Sequence, residues 1–312
     1  MIPKNSWFIG TGNFAALCLE NFLNHGVNFA KIITGLPTRS GRNNRENPSH
    51  VEALASSRNL AVTRTGKISQ NQDLLSEFSA NTPELIFVID FGQIIREPLL
   101  TGTTCVNIHP SMLPKYRGAA PIQRALLNGD EKIGVTLFRL AQEMDAGNIF
   151  AQSEFEIHDS DSAQNLYGKL ANLGVNLALE TFANANPANI HEIPQDNSLA
   201  TYANKLEKSE FELSFELDAQ KFFDSVRALN MSGAAYITLK KSGKRLKIWN
   251  AQKNSLRSES RICGEILSLE NNPVISCADF AIELLQVQPE AKKIMTGKQW
   301  SDGLRLKIHD VI

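Results

Sequence analysis

Residues 104–123 read Thr-Cys-Val-Asn-Ile-His-Pro-Ser-Met-Leu-Pro-Lys-Tyr-Arg-Gly-Ala-Ala-Pro-Ile-Gln. An apolar run ends at Ile108, and a stiff polar loop punctuated by three prolines follows it. Strand residues i and i+2 point to one side, so Asn107 and His109 converge on one small site at the end of the run. An amide can donate to a developing oxyanion, and an imidazole can donate to it or move a proton. That pairing suits acyl transfer. Upstream, residues 85–89 form a continuous apolar run that ends at Asp90-Phe91-Gly92, and residues 6–9 (Ser-Trp-Phe-Ile) read as a short buried strand entering the turn Gly10-Thr11-Gly12. Helical spacing of apolar residues over 14–22, 51–60 and from 74 separates these runs, with another short strand at 29–33. Strands that are apolar throughout and alternate with helices indicate a parallel sheet covered on both faces. The expected fold class is therefore α/β, a Rossmann-like open parallel sheet, with its site at the C-terminal strand ends.

Beyond the loop, residues 133–140 and 149–157 read as strands around the turn Met144-Asp145-Ala146-Gly147-Asn148, and 163–182 as an amphipathic helix. Residues 183–204 are polar, carry two prolines and lack an apolar stripe, as a domain linker would. After it come a helix near 219–228 and short strands at 235–239, 246–251, 264–269, 274–277 and 280–286, the pattern of a small OB-like β-barrel. The expected organisation is a catalytic domain over 1–182, a linker over 183–204 and a C-terminal OB-like domain over 205–312.

The 312 residues carry a net charge of −1, with 42% hydrophobic and 21% charged residues, ordinary values for a soluble chain. Residues 205–312 hold 17 Lys and Arg against 14 Asp and Glu, a balance of +3, which permits a polyanionic partner there. Cys18, Cys105, Cys263 and Cys277 form no CxxC pair and have no metal-ligand spacing, so buried free thiols are expected and no metal. The N-terminus lacks a secretory pattern and no apolar run reaches the ~20 residues of a membrane span. A cytoplasmic protein without a membrane partner is the expectation.

Gly10-Thr11-Gly12-Asn13-Phe14-Ala15 matches the dinucleotide fingerprint, which by itself is weak. The acid expected after the second strand is missing, since residues 29–45 contain no Asp or Glu, which argues against a dinucleotide-dependent oxidoreductase. Asp145 lies in a glycine-containing turn, where an aspartate either caps its own backbone or holds the His109 ring. Arg39, Arg42 and Arg45 stand on a polar stretch over 38–49 that reads as a mobile loop beside the site. Lys240, Lys241, Lys244, Arg245 and Lys247 place five cations in eight residues around Ser242-Gly243, a hairpin turn. Each group is ordinarily a solvated surface; together they suit an extended phosphate track.

Asn107-Ile108-His109, Leu113-Pro114-Lys115-Tyr116-Arg117-Gly118-Ala119-Ala120-Pro121-Ile122 and Asp145-Ala146-Gly147 resemble the methionyl-tRNA formyltransferases, within the 10-formyltetrahydrofolate-dependent formyltransferase family. Further motifs extend the resemblance over essentially the whole chain: Gly10-Thr11-x-x-Phe14-Ala15, Pro37-x-Arg39-x-Gly41-Arg42, Thr201-Tyr202-Ala203-x-Lys205 and Gln288-Pro289-x-x-Lys292-Lys293. The resemblance implies transfer of a formyl group from 10-formyltetrahydrofolate to the α-amine of initiator methionyl-tRNA by a monomer that uses no metal and no obligate protein partner. It implies catalysis by Asn107, His109 and Asp145. It also implies folate contacts at Asp90, Phe91, Gly92, Gln93, Ile94, Ser111, Met112, Leu113, Pro114, Glu143 and Met144. The tRNA contacts it implies are Arg39, Gly41, Arg42 and Arg45 in the inserted loop and the 240–247 cations on the barrel. The chain departs from the family pattern at Gly12-Asn13, where Pro-Asp is usual, and at Asp90-Phe91, where an apolar residue and Tyr are common. Asn230-Met231-Ser232-Gly233 lacks the usual prolines. Competing readings are a formyltransferase acting on an amino-sugar nucleotide, a 10-formyltetrahydrofolate hydrolase, and a tRNA-binding module without turnover.

Overall fold

The computed structural model describes residues 2–40, 45–183, 187–257, 259 and 262–312. Its elements run β1 (Ser6–Gly10), α1 (Asn13–Asn24), β2 (Lys31–Gly35), β3 (Thr38–Ser40), β4 (Arg45–Asn47), α2 (His50–Ser57), β5 (Thr63–Thr65), α3 (Gln72–Ala80), β6 (Leu85–Ile89), α4 (Leu99–Gly102), β7 (Thr104–His109), β8 (Arg117–Gly118) and α5 (Pro121–Asn128). There follow β9 (Lys132–Arg139), β10 (Ile149–Glu156), α6 (Ala163–Thr181), β11 (Tyr202–Ala203), α7 (Ala219–Leu229), β12 (Ala235–Thr238), β13 (Arg245–Asn254), β14 (Ile266–Ser268), β15 (Val274–Ser276), β16 (Ala281–Pro289), β17 (Met295–Thr296) and α8 (Gly297–Leu304).

Continuous apolar strands need cover on both faces, and β1 and β6 receive it. Trp7, Ile9, Ile86 and Val88 enter one buried cluster with Ile33, Leu74, Phe78 and Phe91. The alternate residues face the other way: Phe87 meets Phe22 at 4.8 Å and Phe182 at 6.0 Å between ring centroids. The sheet order is β10-β9-β7-β6-β1-β2-β5. Its central strands are parallel, while β9 runs antiparallel to both β7 and β10. The sheet is thus mixed rather than wholly parallel. The short connection over 140–148 carries no crossover helix, so β9 and β10 can pair only in opposite directions. From Ala151 onward β10 accordingly alternates half-buried and exposed residues, as an edge strand with one wet face does.

The chain divides into two compact units, Met1–Pro121 with Lys132–Glu156 and Tyr167–Ala203, and Ile122–Glu131 with Ile157–Leu166 and Asn204–Ile312. The second unit holds an antiparallel sheet in the order β12-β13-β16-β15-β14, with β17 on β16. Register shifts near Asn250 bend the long strand β13, as small barrels require. Helix α7 packs on β13 and β16, is started by the Asp218 carboxylate accepting the Lys221 N–H at 2.6 Å, and buries Phe222, Val226 and Leu229.

Two stretches carry pairing that the sequence expectation did not include. In the 38–49 stretch, expected as a mobile loop, β3 and β4 pair antiparallel with Arg39 opposite Glu46. A hairpin this short has no apolar alternation to announce it. Residues 193–203, expected within a linker, pack into the first unit: Ile193 bridges Ile149, and β11 pairs in parallel with β8. These contacts run through backbone groups, which leave no hydrophobic trace in the sequence. No helix among the described residues is long and apolar enough to cross a membrane. All four cysteines are free, and burial pushes the Cys105 and Cys277 thiols up to about 12.

Candidate active site

Strand β7 sets the site's axis. Asn107 lies opposite Phe138 and His109 opposite Thr136 on β9. His109 is 5% exposed, and its ring meets Phe138 edge-on at 6.4 Å. Its Nε2 lies 2.9 Å from the Tyr116 carbonyl oxygen. A carbonyl only accepts, so Nε2 carries the hydrogen and donates it. That leaves Nδ1 facing the Asp145 carboxylate, with Oδ2 at 3.8 Å, within ion-pair range but beyond a hydrogen bond. Asp145 Oδ2 instead accepts the Gly118 N–H at 2.8 Å. Of the two sequence readings for Asp145, neither is complete: the carboxylate is anchored by another loop's backbone and faces the imidazole. Asp145 has φ +53° and Gly118 φ +124°, so both turns occupy conformations that side chains rarely adopt.

The loop after His109 is tied to the sheet by the Thr136 hydroxyl and by the Gln152 amide, which donates to the Leu113 carbonyl at 2.8 Å. Thr136 Oγ1 donates to Ser111 O at 2.7 Å and accepts from Leu113 N at 2.9 Å and Gln152 Nε2 at 2.8 Å. Ser111 and Leu113 are buried, while Met112 and Pro114 are half-buried. Ser111 Oγ donates to the Lys115 carbonyl at 2.6 Å, closing the loop on itself. Thr136 and Gln152 were invisible to sequence reading, because a lone Thr in a strand carries no signal.

After β6, the expected folate positions separate. Phe91 lies in the core. The Asp90 carbonyl accepts Thr11 N and Gly12 N at 3.1 and 3.0 Å, and its carboxylate accepts the Phe14 and Ala15 N–H groups at the start of α1. Although part of the residue faces solvent, burial holds this carboxyl above the usual carboxylate range, against the pull of those donors and of His50. The glycine turn that would cradle a pyrophosphate in a dinucleotide enzyme is thus filled by the chain's own anion. A Cβ on Gly12 would lie 1.8 Å from Asp90 Oδ2. A side chain at 12 would displace the Asp90 carboxylate, so Gly12 and Asp90 depend on each other at this turn. Gly12→Ala should destabilise by about 1–2 kcal/mol, the worth of a lost helix cap, and by clearly less in an Asp90→Ala background. Equal losses in both backgrounds, measured by denaturant unfolding, would refute the pairing.

Gln93 and Ile94 line a cavity of about 680 Å³ with Leu36, Thr65, Lys67 and Arg96. Gln93 is fixed there, accepting from Ile68 N at 3.0 Å and donating to Gly66 O at 2.6 Å. Asn107, His109 and Asp145 are not among the lining residues. The cavity's two cations were missed in the sequence, since isolated Lys and Arg residues read as solvated. Glu143 and Met144, beside Asp145, are exposed. Among the described residues no group of three or more His, Cys, Asp or Glu is placed to hold a metal.

Of the expected tRNA contacts, Gly41 and Arg42 lie outside the described residues. Arg45 pairs by backbone with Ser40, and the exposed Arg39 guanidinium meets Glu46 at 2.7 Å. On the second unit the 240–247 cations sit on the β12–β13 hairpin, where Arg245 stacks over Tyr236 at 4.6 Å and Lys247 lies over Trp249 at 5.9 Å. Lys241 faces Asp310 at 3.6 Å. Lys240 and Lys244 are exposed on the turn.

Two family models match the chain: formyl transferase over residues 4–182 and the formyl transferase C-terminal domain over residues 205–305. The methionyl-tRNA formyltransferase of Lactobacillus johnsonii is 34% identical over 299 residues, covering 95% of this chain and 94% of that protein. Among solved structures, HypX from Aquifex aeolicus in complex with tetrahydrofolic acid superposes with a TM-score of 0.65 at 18% identity over 98% of this chain, which spans only 48% of HypX. The N-formyltransferase from Helicobacter canadensis, solved with folinic acid and dTDP-3-aminofucose, gives a TM-score of 0.65 at 18% identity over 92% of this chain and 100% of that one. These two structures share the fold.

Proposed function

We propose, because the chain belongs to the formyl transferase family, that it transfers a formyl group from 10-formyltetrahydrofolate to the α-amine of initiator methionyl-tRNA. The observation that carries the acceptor is the 34% identity to a methionyl-tRNA formyltransferase over 95% of the chain, against 18% for the enzyme solved with an amino-sugar nucleotide.

The chemistry follows from the three polar groups. The amine attacks the formyl carbon and a tetrahedral oxyanion forms. The Asn107 amide and protonated His109 stabilise that charge. Because Nε2–H is engaged by the Tyr116 carbonyl, Nδ1 is the nitrogen that gains and loses a proton. Asp145 faces Nδ1 across 3.8 Å and helps fix the ring's orientation. The proton leaves the attacking nitrogen and reaches N10 of the departing tetrahydrofolate. Holding both reactants in place supplies much of the remaining rate.

In this reading the folate lies along 90–94, 111–114 and 143–144. The cavity beside Gln93 and Ile94 and the loop pinned by Thr136 support that assignment. Residues 1–182 carry the catalytic groups, the connecting stretch 183–204 includes the 193–203 segment that packs into the first unit, and 205–312 bind tRNA. The basic hairpin, with its cations laid on Tyr236 and Trp249, suits a backbone-tracking nucleic-acid surface. Arg39, Gly41, Arg42 and Arg45 are read as its counterpart on the catalytic domain. The protein works as a cytoplasmic monomer.

The deciding experiment offers 10-formyltetrahydrofolate with charged initiator tRNA, elongator methionyl-tRNA, an amino-sugar nucleotide and water as parallel acceptors. Rapid, selective formylation of the initiator is expected. Reaction with the sugar alone, or formate release alone, would leave the chemistry standing and remove the acceptor. Arg42→Ala should weaken use of the tRNA and lower the slope of log(kcat/KM) against log salt by about one contact, roughly 0.7–0.9. An unchanged slope means that this loop does not meet phosphate.

A further inference from the structure

Asp145 and the loop that faces it are held by a segment far away in sequence. Residues 192–203 cross the 145–149 turn and the 116–119 loop in succession. Glu192 accepts from Arg139 Nε at 2.7 Å and Asn148 Nδ2 at 3.2 Å, and Ile193 exchanges two backbone hydrogen bonds with Ile149. Thr201 accepts the Tyr116 and Arg117 N–H groups, both at 2.9 Å, through its hydroxyl and carbonyl. Ala203 O accepts the Ala119 N–H at 2.9 Å.

Gln195 sits between these anchors. Its Nε2 donates to the carbonyls of Asp145 at 2.8 Å and Gly147 at 2.7 Å. Its Oε1 accepts from Arg117 Nη2 at 2.6 Å and Nε at 3.2 Å. Arg117 is buried, and its neighbour Gly118 supplies the N–H that Asp145 Oδ2 accepts. One amide therefore holds the backbone at Asp145 and at Gly147 just after it, and ties this turn to the strand that anchors the Asp145 carboxylate. Both amide hydrogens and the oxygen are used. A left-handed residue such as Asp145 persists only where its surroundings over-determine it, and Gln195 provides that restraint.

We propose that Gln195 is a positioning residue for formyl transfer, keeping the Asp145 carboxylate opposite His109 Nδ1. The proposal rests on the formyl transfer reading of the site. It implies that the segment expected to be a linker forms part of the catalytic framework.

A double-mutant cycle in the full chain tests it, with Gln195→Ala, Asp145→Asn and the double variant assayed for kcat and KM with 10-formyltetrahydrofolate and methionyl-tRNA. Gln195→Ala should lower kcat by about tenfold or more, as a displaced catalytic group does, with both KM values within about twofold. In the Asp145→Asn background the same substitution should change kcat by less than about twofold, because the residue it positions is already disabled. Gln195→Glu keeps the shape and the acceptor for Arg117 but loses both donors. It should reproduce the kcat loss in a chain that still folds, and it decides the question if the alanine variant does not fold. A Gln195 effect that persists undiminished beside Asp145→Asn, or a kcat within about twofold of wild type in both Gln195 variants, overturns the proposal. Wild-type kcat in Asp145→Asn alone instead removes the catalytic reading of Asp145, and the proposal with it.

Discussion

Replacing His109 by alanine lowers kcat for formyl transfer by about 10³-fold, the scale of a lost proton-transfer or oxyanion group, and leaves 10-formyltetrahydrofolate binding nearly intact. The ring is buried and held between the Tyr116 carbonyl, Phe138 and Asp145, so its removal takes away a preorganised donor rather than a solvated one. Preorganisation matters because a donor fixed before the reaction spends no energy reorienting as charge develops. The folate contacts proposed at 90–94, 111–114 and 143–144 do not include His109, so folate affinity should survive the substitution. Single-turnover formylation separates the chemical step from product release, and equilibrium titration with the folate reads binding independently. Activity within a few-fold of wild type would sink the proposed mechanism. Matched losses in binding and rate would instead place His109 among the folate contacts.

The parallel core was legible because its signal is local. Runs such as residues 7–9 and 85–89 are apolar at every position, which only a sheet buried on both faces tolerates, and Trp7 against Phe8 shows the two faces used separately. The direction of β9 was not legible, since an apolar strand reads identically in either sense. The C-terminal end was missed although a signal stood there. Thr296 and Gln299 form a capping box that starts α8, and Trp300 behind it is buried. A T-x-x-Q pattern ahead of an aromatic is the sequence mark of such a start. It was overlooked because Lys298, Asp302 and Arg305 make the segment look polar.

At the site, the spacing of Asn107 and His109 carried its own geometry, because period-two alternation is a property of any strand. Asp145 was recognisable only through the family pattern; nothing local distinguishes it from a turn aspartate. Gln195 was not legible at all. Its partners are backbone carbonyls about fifty residues away, and any polar segment offers glutamines. The basic loop was over-read in one respect, because Glu46 lies just past the acid-free window and pairs Arg39 across a hairpin. That pair is exposed and worth about 0–1 kcal/mol, so it offers little resistance to a competing phosphate.

Arg227→Met should destabilise the second unit by about 3–5 kcal/mol, the cost of stranding a buried charge. Arg227 is 8% exposed and Asp224 2%, and the guanidinium places Nε 2.8 Å and Nη2 2.7 Å from Asp224 Oδ1. Nη1 donates to the His158 carbonyl at 3.1 Å, and the plane lies 5.1 Å from the Phe223 ring. Methionine fills much of the volume but supplies none of these donors, leaving the buried Asp224 carboxylate with a neutral donor, the Gln220 amide at 3.0 Å, in place of a cation. The loss therefore arises from Asp224 rather than from packing. Removing the stranded charge as well, in an Arg227→Met/Asp224→Leu double variant, should recover most of the stability, because apolar replacement of both members of a buried pair is often neutral. Denaturant unfolding of the three chains measures this directly. A double variant as unstable as Arg227→Met would mean that the guanidinium's bond to His158, and the hold it gives α7 on residues 157–161, carries the stability instead.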